Sequence, residues 1–197
     1  FIGQDIAVLA GGEPSGQSVG DDAAQLFAGV DVVIDFTIPA ATVAHAALAA
    51  EQGTAMVIGT TGLDDADMTK IAEAATKTAI VHAGNMSLGV NLLVGLAQQV
   101  AASLGPDFDI EVLEMHHKHK IDAPSGTALR MGEIIQQSLF RNGHDDELNY
   151  NSIRAGDIVG EHTVMFVGAG ERIEITHRAM SRMNFATGAV RAALWLE

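Results

Sequence analysis

At 197 residues, with 48% apolar and 18% charged side chains, the chain is long enough to bury about 70% of its unfolded surface in a packed core. It contains no cysteine, which removes disulfide frameworks, thiolate nucleophiles and Cys-based zinc sites together, and a reducing cytoplasm is the expected setting. A net charge of −14 excludes a nucleic-acid surface, which needs a field of Lys and Arg, and no apolar run approaches the roughly 18 residues that span a bilayer. No signal peptide is visible, and the chain opens at Phe1 rather than Met.

The charge is unevenly spread. Residues 1–69 hold ten acidic side chains and no Lys or Arg. An anion bound in the first third must therefore be held by backbone amides, or by cations from further along. Within that third, Gly11-Gly12 follows no convincing strand or helix. The apolar β-branched run at 32–36 predicts a strand, Thr37 an N-cap, Pro39 a first-turn proline, and the Ala-rich stretch to Glu51 a helix. The pattern repeats with a strand at 55–58, a tight turn at Gly59–Gly62 and a helix over 64–76 with an acidic first turn. It comes a third time with a strand at 79–82, the loop Ala83-Gly84-Asn85-Met86-Ser87 and a long apolar helix to about Leu104. Three βα units in succession imply a parallel, helix-covered sheet.

After Pro106 the texture changes. Residues 109–112 alternate as in a half-buried strand that runs into Glu114 and the island His116-His117-Lys118-His119-Lys120. Residues 122–127 have the grammar of a helix start, continued by a helical period through Leu129, Ile134, Ile135 and Leu139. Residues 141–151 are polar and patternless and read as a mobile loop. An antiparallel hairpin is predicted from 158–167 and 171–178 around Gly168-Ala169-Gly170, and a closing helix from Ala189 to Leu196.

In an open parallel sheet, ligands bind beyond the carboxyl ends of the strands, where this chain carries Phe36-Thr37, Gly59-Thr60-Thr61-Gly62 and Ala83-Gly84-Asn85-Met86. All suit a nucleotide held by amides, although ordinary βα turns read the same way and the Gly-x-Gly-x-x-Gly fingerprint is absent. The basic island sits at a predicted strand end, so alternate side chains can share one anion pocket. A histidine there passes a proton near neutral pH while a lysine holds a carboxylate. A metal site completed by Glu114 or Asp122, and a merely solvated loop, are the other readings. Ser125-Gly126-Thr127 reads either as helix capping or as a carboxylate cradle at a helix start, with Pro124 in the first turn. For His45, His82, His162 and His177 a hydrogen-bonded structural role is expected.

The string from Glu114 to Ala128, Glu-Met-His-His-Lys-His-Lys-Ile-Asp-Ala-Pro-Ser-Gly-Thr-Ala, closely resembles the signature of 4-hydroxy-tetrahydrodipicolinate reductases, also called dihydrodipicolinate reductases. The likeness extends through residues 34–37, 59–62, 84–91, 154–162 and 184–189 and covers most of the chain from about residue 30. The resemblance implies reduction of a cyclic imine dicarboxylate with NADH or NADPH in the diaminopimelate route to lysine. It implies a proton-transfer role for His116 with Lys120 as partner donor, and substrate-carboxylate binding by His117, Gly126 and Thr127 with Ser125 beside them. Gly59, Thr60, Thr61, Ala83, Gly84, Asn85 and Met86 match cofactor-contacting segments, with Phe36, Thr37 and Arg182 as additions; no metal is implied.

The expected fold is α/β. A Rossmann-like parallel-sheet domain, lacking its first βα unit, spans residues 1–87 with 183–197 returning to it. A mixed-sheet α+β domain at 88–182 binds substrate and, as the resemblance implies, builds a homotetramer. The resemblance also places the family's glycine-rich first βα unit before Phe1, a longer Gly- and Arg-containing loop before Ser152, and a last strand after Glu197. Other readings of the same residues are a homoserine-type or other NAD(P)-dependent dehydrogenase of amino-acid synthesis, and a non-catalytic carboxylate-binding domain.

Overall fold

The computed structural model describes residues 1–141 and 148–197, and side chains other than those of Pro106, Phe140 and Arg141. The chain divides into two compact units, Phe1–Ala83 with Arg191–Glu197, and Gly84–Val190.

The first unit is built on a three-stranded parallel sheet in the order β1 (Val32–Asp35), β2 (Ala55–Ile58), β3 (Ile80–His82). Met56, Val57 and Ile58 of the central strand are completely buried, which is why that strand reads as an unbroken apolar run rather than an alternating one. Helix α3 (Pro39–Gln52) connects β1 to β2, and α4 (Asp65–Ala74) connects β2 to β3. Together with Phe27 of α2 (Ala23–Ala28), they bury Ala46, Ala49, Ile71 and Ala74 against Met56 and Ile58. Gly53 ends α3 with φ +73°, a left-handed cap that a residue without Cβ adopts freely. A reciprocal capping box between Asp64 and Asp67 starts α4.

Several local expectations are corrected here. The N-cap of α3 is Ile38 with no side-chain bond, because the Thr37 hydroxyl turns instead toward Thr42, 3.3 Å away. Gly59–Gly62 is an open loop rather than a tight turn. A four-residue helix, α1 (Ile6–Leu9), precedes Gly11-Gly12 and is capped by Asp5, whose carboxylate accepts from the amides of Ala7 and Val8. Four residues are too few to show a period in sequence.

The second unit is a four-stranded mixed sheet in the order β5 (Asn149–Arg154), β4 (Asp109–His116), β6 (Gly160–Gly168), β7 (Glu171–Ala179). β4 and β5 are parallel, joined through α6 (Gly126–Arg141), while β4–β6 and β6–β7 are antiparallel. Alternation along β4 buries Ile110, Val112, Glu114 and His116 on one face. The apolar pair packs with Leu93, Ala97 and Ala101 of α5 (Leu88–Leu104), Ala128, Met131, Ile135 and Leu139 of α6, and Val164 and Phe166 of β6.

Part of the stretch read as a loop is strand β5, which begins at Asn149, while residues 142–147 lie outside the described residues. The buried line of α6 runs through Ala128 and Met131, leaving Leu129 on the exposed side. Its first residue is Gly126, so Pro124 precedes the helix rather than standing in its first turn. The last helix, α7 (Met183–Leu196), starts six residues before the predicted Ala189. Its Gly188 lies against the carbonyl of Met86 so closely that no Cβ fits between them, which ties the helix directly to the loop after β3.

Candidate active site

The second unit concentrates its buried charge where β4 ends. Glu114 and His116, two residues apart on one strand, share a face, and the parallel pairing sets Arg154 of β5 opposite His116. The Glu114 carboxylate has no solvent exposure, and both Arg154 Nη atoms donate to it, at 2.7 and 2.8 Å. It also stands 2.5 Å from His116 Nδ1, and the Ser125 amide donates to it at 3.2 Å. Burial works against its charge, but the bonds from Arg154, then Ser152 and His116, outweigh that and hold the carboxyl at about 2. An ionised Glu114 fixes the hydrogen on Nδ1 of a neutral His116 and leaves Nε2 with the free lone pair.

Burial is also the main influence on His116. It pushes the imidazole below its ordinary value, and Lys120 and Arg154 add to it against the pull of Glu114. His162 of β6 meets the His116 ring edge-on at 5.2 Å between centroids, and its Nε2 is 3.2 Å from Ser125 Oγ. Burial, then the neighbouring His116, pushes His162 down to about 4, so two neutral imidazoles lie side by side.

The remainder of the island does not continue the strand. Residues 117–124 turn away, with the Lys120 amide donating to the His117 carbonyl, so the alternation argument ends at His116. His117 is half-buried with its ring 6.4 Å from that of His119; Lys118 and His119 are exposed. Lys120 is half-buried and pairs with Asp122 at 2.8 Å. Ser125 is buried and caps α6 by accepting from the Ala128 amide; the Gly126 amide is directed to the Asp122 carboxylate, and the Thr127 amide has no backbone acceptor among the described residues. Thr127 Oγ1 accepts from Asn85 Nδ2 at 3.2 Å. Asn85 Oδ1 accepts from the Ser87 amide, and Ser87 Oγ caps α5. Met86 is buried, Gly84 is exposed, and Arg182 is exposed in the turn before α7.

In the first unit Phe36, Thr37, Gly59, Thr60, Thr61 and Ala83 stand at the carboxyl ends of the strands. The Phe36 ring covers Gly59 so closely that a Cβ there would overlap it. Thr60 Oγ1 is buried and accepts from the Thr37 amide at 2.9 Å and from Thr42 Oγ1 at 2.8 Å, which locks the loops after β1 and β2 together. Among the described residues, no backbone acceptor takes the amides of Thr60, Thr61 and Gly62. A run of free amides beside glycine suits the carboxamide, hydroxyls and phosphates of a nicotinamide nucleotide, so the residues present fit that group.

Arg154 and Thr42 are the site residues to which sequence reasoning gives no role, while His162 has the hydrogen bond expected of a structural histidine, placed against His116. Glu114 was seen only as a metal partner, although its two-residue spacing from His116 already places both on one strand face. Among the described residues no group of three or more His, Asp or Glu is arranged to hold a metal, and no helix is long and apolar enough to cross a membrane.

A parallel α/β unit with amide-rich loops, and a separate mixed-sheet unit carrying a buried acid–base pair, define a nicotinamide-dependent oxidoreductase. The models described as "Dihydrodipicolinate reductase, N-terminus" and "Dihydrodipicolinate reductase, C-terminus" match residues 1–86 and 89–197. The chain is 50% identical to the 4-hydroxy-tetrahydrodipicolinate reductase of Ruegeria sp. (strain TM1040), over 99% of this chain and 78% of that protein. It is equally identical to the enzyme of that name from Acinetobacter baumannii (strain ACICU), over 100% and 77%. The solved structure titled "Dipicolinate bound Dihydrodipicolinate reductase from Paenisporosarcina sp. TG-14" superposes with a TM-score of 0.78 at 26% identity, covering 98% of this chain and 80% of that one. The chain belongs to the dihydrodipicolinate reductase family, which uses a nicotinamide cofactor.

Proposed function

We propose that this protein catalyses the NADH- or NADPH-dependent reduction of 4-hydroxy-tetrahydrodipicolinate to tetrahydrodipicolinate in the diaminopimelate route to lysine. The observation that carries the reading is the Glu114–His116–Arg154 constellation beside the basic turn and the start of α6. The conversion takes up a hydride and a proton and releases the hydroxyl as water. Phe36, Thr37, Gly59, Thr60, Thr61, Ala83, Gly84, Asn85, Met86 and Arg182 are the residues proposed to hold the nicotinamide nucleotide, which supplies the hydride when bound.

The remaining tasks fall to the protein's own side chains. His117, Ser125, Gly126 and Thr127 bind the substrate carboxylates, with the Thr127 amide as a direct donor, the Gly126 amide exchanging the Asp122 carboxylate for that of the substrate, and Ser125 holding the helix start in place. Lys120 adds a cation and a donor. His116 rests neutral; a dianion arriving next to it favours the imidazolium, so the imidazole takes up a proton with the substrate and delivers it from Nε2. His119 has no assigned role, and no metal takes part in the proposed chemistry. Dipicolinate, named as the ligand of the Paenisporosarcina protein, is a proposed ligand here as well.

In the proposed division of labour, residues 1–87 with 183–197 serve the cofactor and 88–182 serve substrate binding and assembly into a homotetramer, in the cytoplasm. Mixing the protein with NADH or NADPH and freshly made hydroxy-tetrahydrodipicolinate should consume the reduced nicotinamide absorbance. No oxidation with either cofactor sinks the reading. Light scattering after size exclusion should give four chains per particle.

A further inference from the structure

An ion pair on a fully buried carboxylate, such as Glu114 with the half-buried Arg154, is poorly explained by stability, because apolar replacements of similar shape are often neutral or stabilising. Each contact it makes fixes a different part of the site. The carboxylate commits Nδ1–H of His116 and turns Nε2 toward Gly160, where a Cβ would stand 3.1 Å away and the glycine leaves room. Arg154 Nη2 also donates to the Asp122 carbonyl at 2.5 Å, and the Asp122 carboxylate holds Lys120. The Ser125 amide on Glu114 anchors the start of α6. One carboxylate–guanidinium pair thus joins the histidine, the lysine turn and the carboxylate cradle.

We propose that Glu114 and Arg154 are positioning residues that set the tautomer and proton affinity of His116 by opposing pulls and tie the Lys120 turn to it. The carboxylate favours the imidazolium, and the guanidinium opposes it. The other ionisable groups facing the ring are Lys120 of the 117–124 turn and His162 of β6. Neither bonds Nδ1, so neither selects the tautomer. This assignment rests on the reading of His116 as the proton carrier.

The test is a nitrogen-detected NMR titration of the histidine side chains in the full chain without substrate, for wild type, Glu114→Gln, Arg154→Met and Arg154→Lys. Wild-type His116 should carry its neutral-form hydrogen on Nδ1. Glu114→Gln should move its midpoint down, since Arg154 is then unopposed, and Arg154→Met should move it up, each by about one pH unit or more. Arg154→Lys, which keeps the charge without the two-pronged contact, should give a smaller upward move and decides the matter if Arg154→Met does not fold. In turnover, Glu114→Gln should lose about 100-fold or more with the cofactor KM unchanged.

A hydrogen on Nε2 in wild type, midpoints that move in the same direction, or midpoints that stay put overturn the assignment, since an ion pair that does not bond the ring leaves its tautomer unselected. The titrations need no substrate. A wild type without reductase activity therefore overturns only the functional reading, and an active enzyme whose Glu114→Gln variant keeps its turnover and pH profile overturns only this one.

Discussion

The two units handle polarity in opposite ways. The first carries no Lys or Arg before Lys70, and its loops at the carboxyl ends of the strands are built from amides and hydroxyls, with Thr60 Oγ1 as the joint between two of them and the buried Asp35 carboxylate behind them, 3.5 Å from His45. The second drives Glu114, Arg154, His116 and His162 into or against its core and satisfies them with one another. Amides and hydroxyls recognise a bound group without changing charge, whereas a site that must exchange a proton needs titratable groups whose affinities the fold can move. The contrast predicts that damage in one unit reads out as lost turnover and in the other as lost affinity.

The largest effect belongs to the second unit. His116→Gln or Lys120→Ala should cut turnover about 100- to 10,000-fold, while cofactor affinity measured by fluorescence titration stays near wild type. A parallel loss of affinity would erase the distinction between the units. Next comes acid sensitivity. His162 titrates at an ordinary 6.5 in the unfolded chain and at about 4 in the fold, so its contribution is intact above 6.5 and is lost as pH falls toward 4. The loss amounts to about 3 kcal/mol. Glu114, held at about 2 against an ordinary 4.5, adds its own loss only below 4.5. Urea unfolding at pH 7, 5.5 and 4.5 should show the decline, and His162→Gln should flatten it between 6.5 and 4; an equally steep profile in that variant would remove His162 as the cause.

The same contrast governs what sequence could disclose. The three parallel strands of the first unit were legible as short apolar runs, each followed by a helical stretch, and the basic island stood out against an acidic chain; that the helix after β3 packs in the second unit was not. Arg154 was not legible as a partner of Glu114, since β5 is polar and sits at the sheet edge, where Asn149-Tyr150-Asn151-Ser152 has no alternation to betray a strand. The pairing of residues 40 apart depends on a parallel crossover through α6 that no local pattern encodes. Ser125 was drawn toward substrate by its place in the motif, while its hydroxyl is engaged in capping α6 and facing His162. Thr42 reads as one more residue of an Ala-rich helix until the fold brings Thr60 to it.

Smaller effects test the first unit. Thr60→Val keeps the shape but removes the acceptor for the Thr37 amide and the Thr42 hydroxyl, the latter with no solvent exposure. Losing these bonds, with the Thr42 hydroxyl left only its 3.3 Å contact to Thr37 Oγ1, should cost about 1 kcal/mol and, by loosening the two loops, weaken cofactor binding with turnover at saturation largely retained. A variant with lower turnover and unchanged cofactor affinity would contradict the assignment of recognition to this edge.

The smallest effect runs in the stabilising direction. Helix α3 starts at Ile38, which is 66% exposed and has the extended conformation of an N-cap, φ −124° and ψ 156°, but no side-chain oxygen to satisfy the first amides. Helix α6 has such an oxygen in Ser125. Ile38→Ser supplies the missing acceptor where the backbone geometry is already right, and the isoleucine it removes buries little. The gain should be about 1 kcal/mol, read as a rise in the thermal midpoint of the first unit. Serine is the better choice over aspartate, because a new carboxylate next to Phe36 and Thr37 would repel the phosphates of a nucleotide bound at that edge. An unchanged midpoint would mean that water already satisfies those amides, and that the first unit gives up nothing by leaving its central helix uncapped.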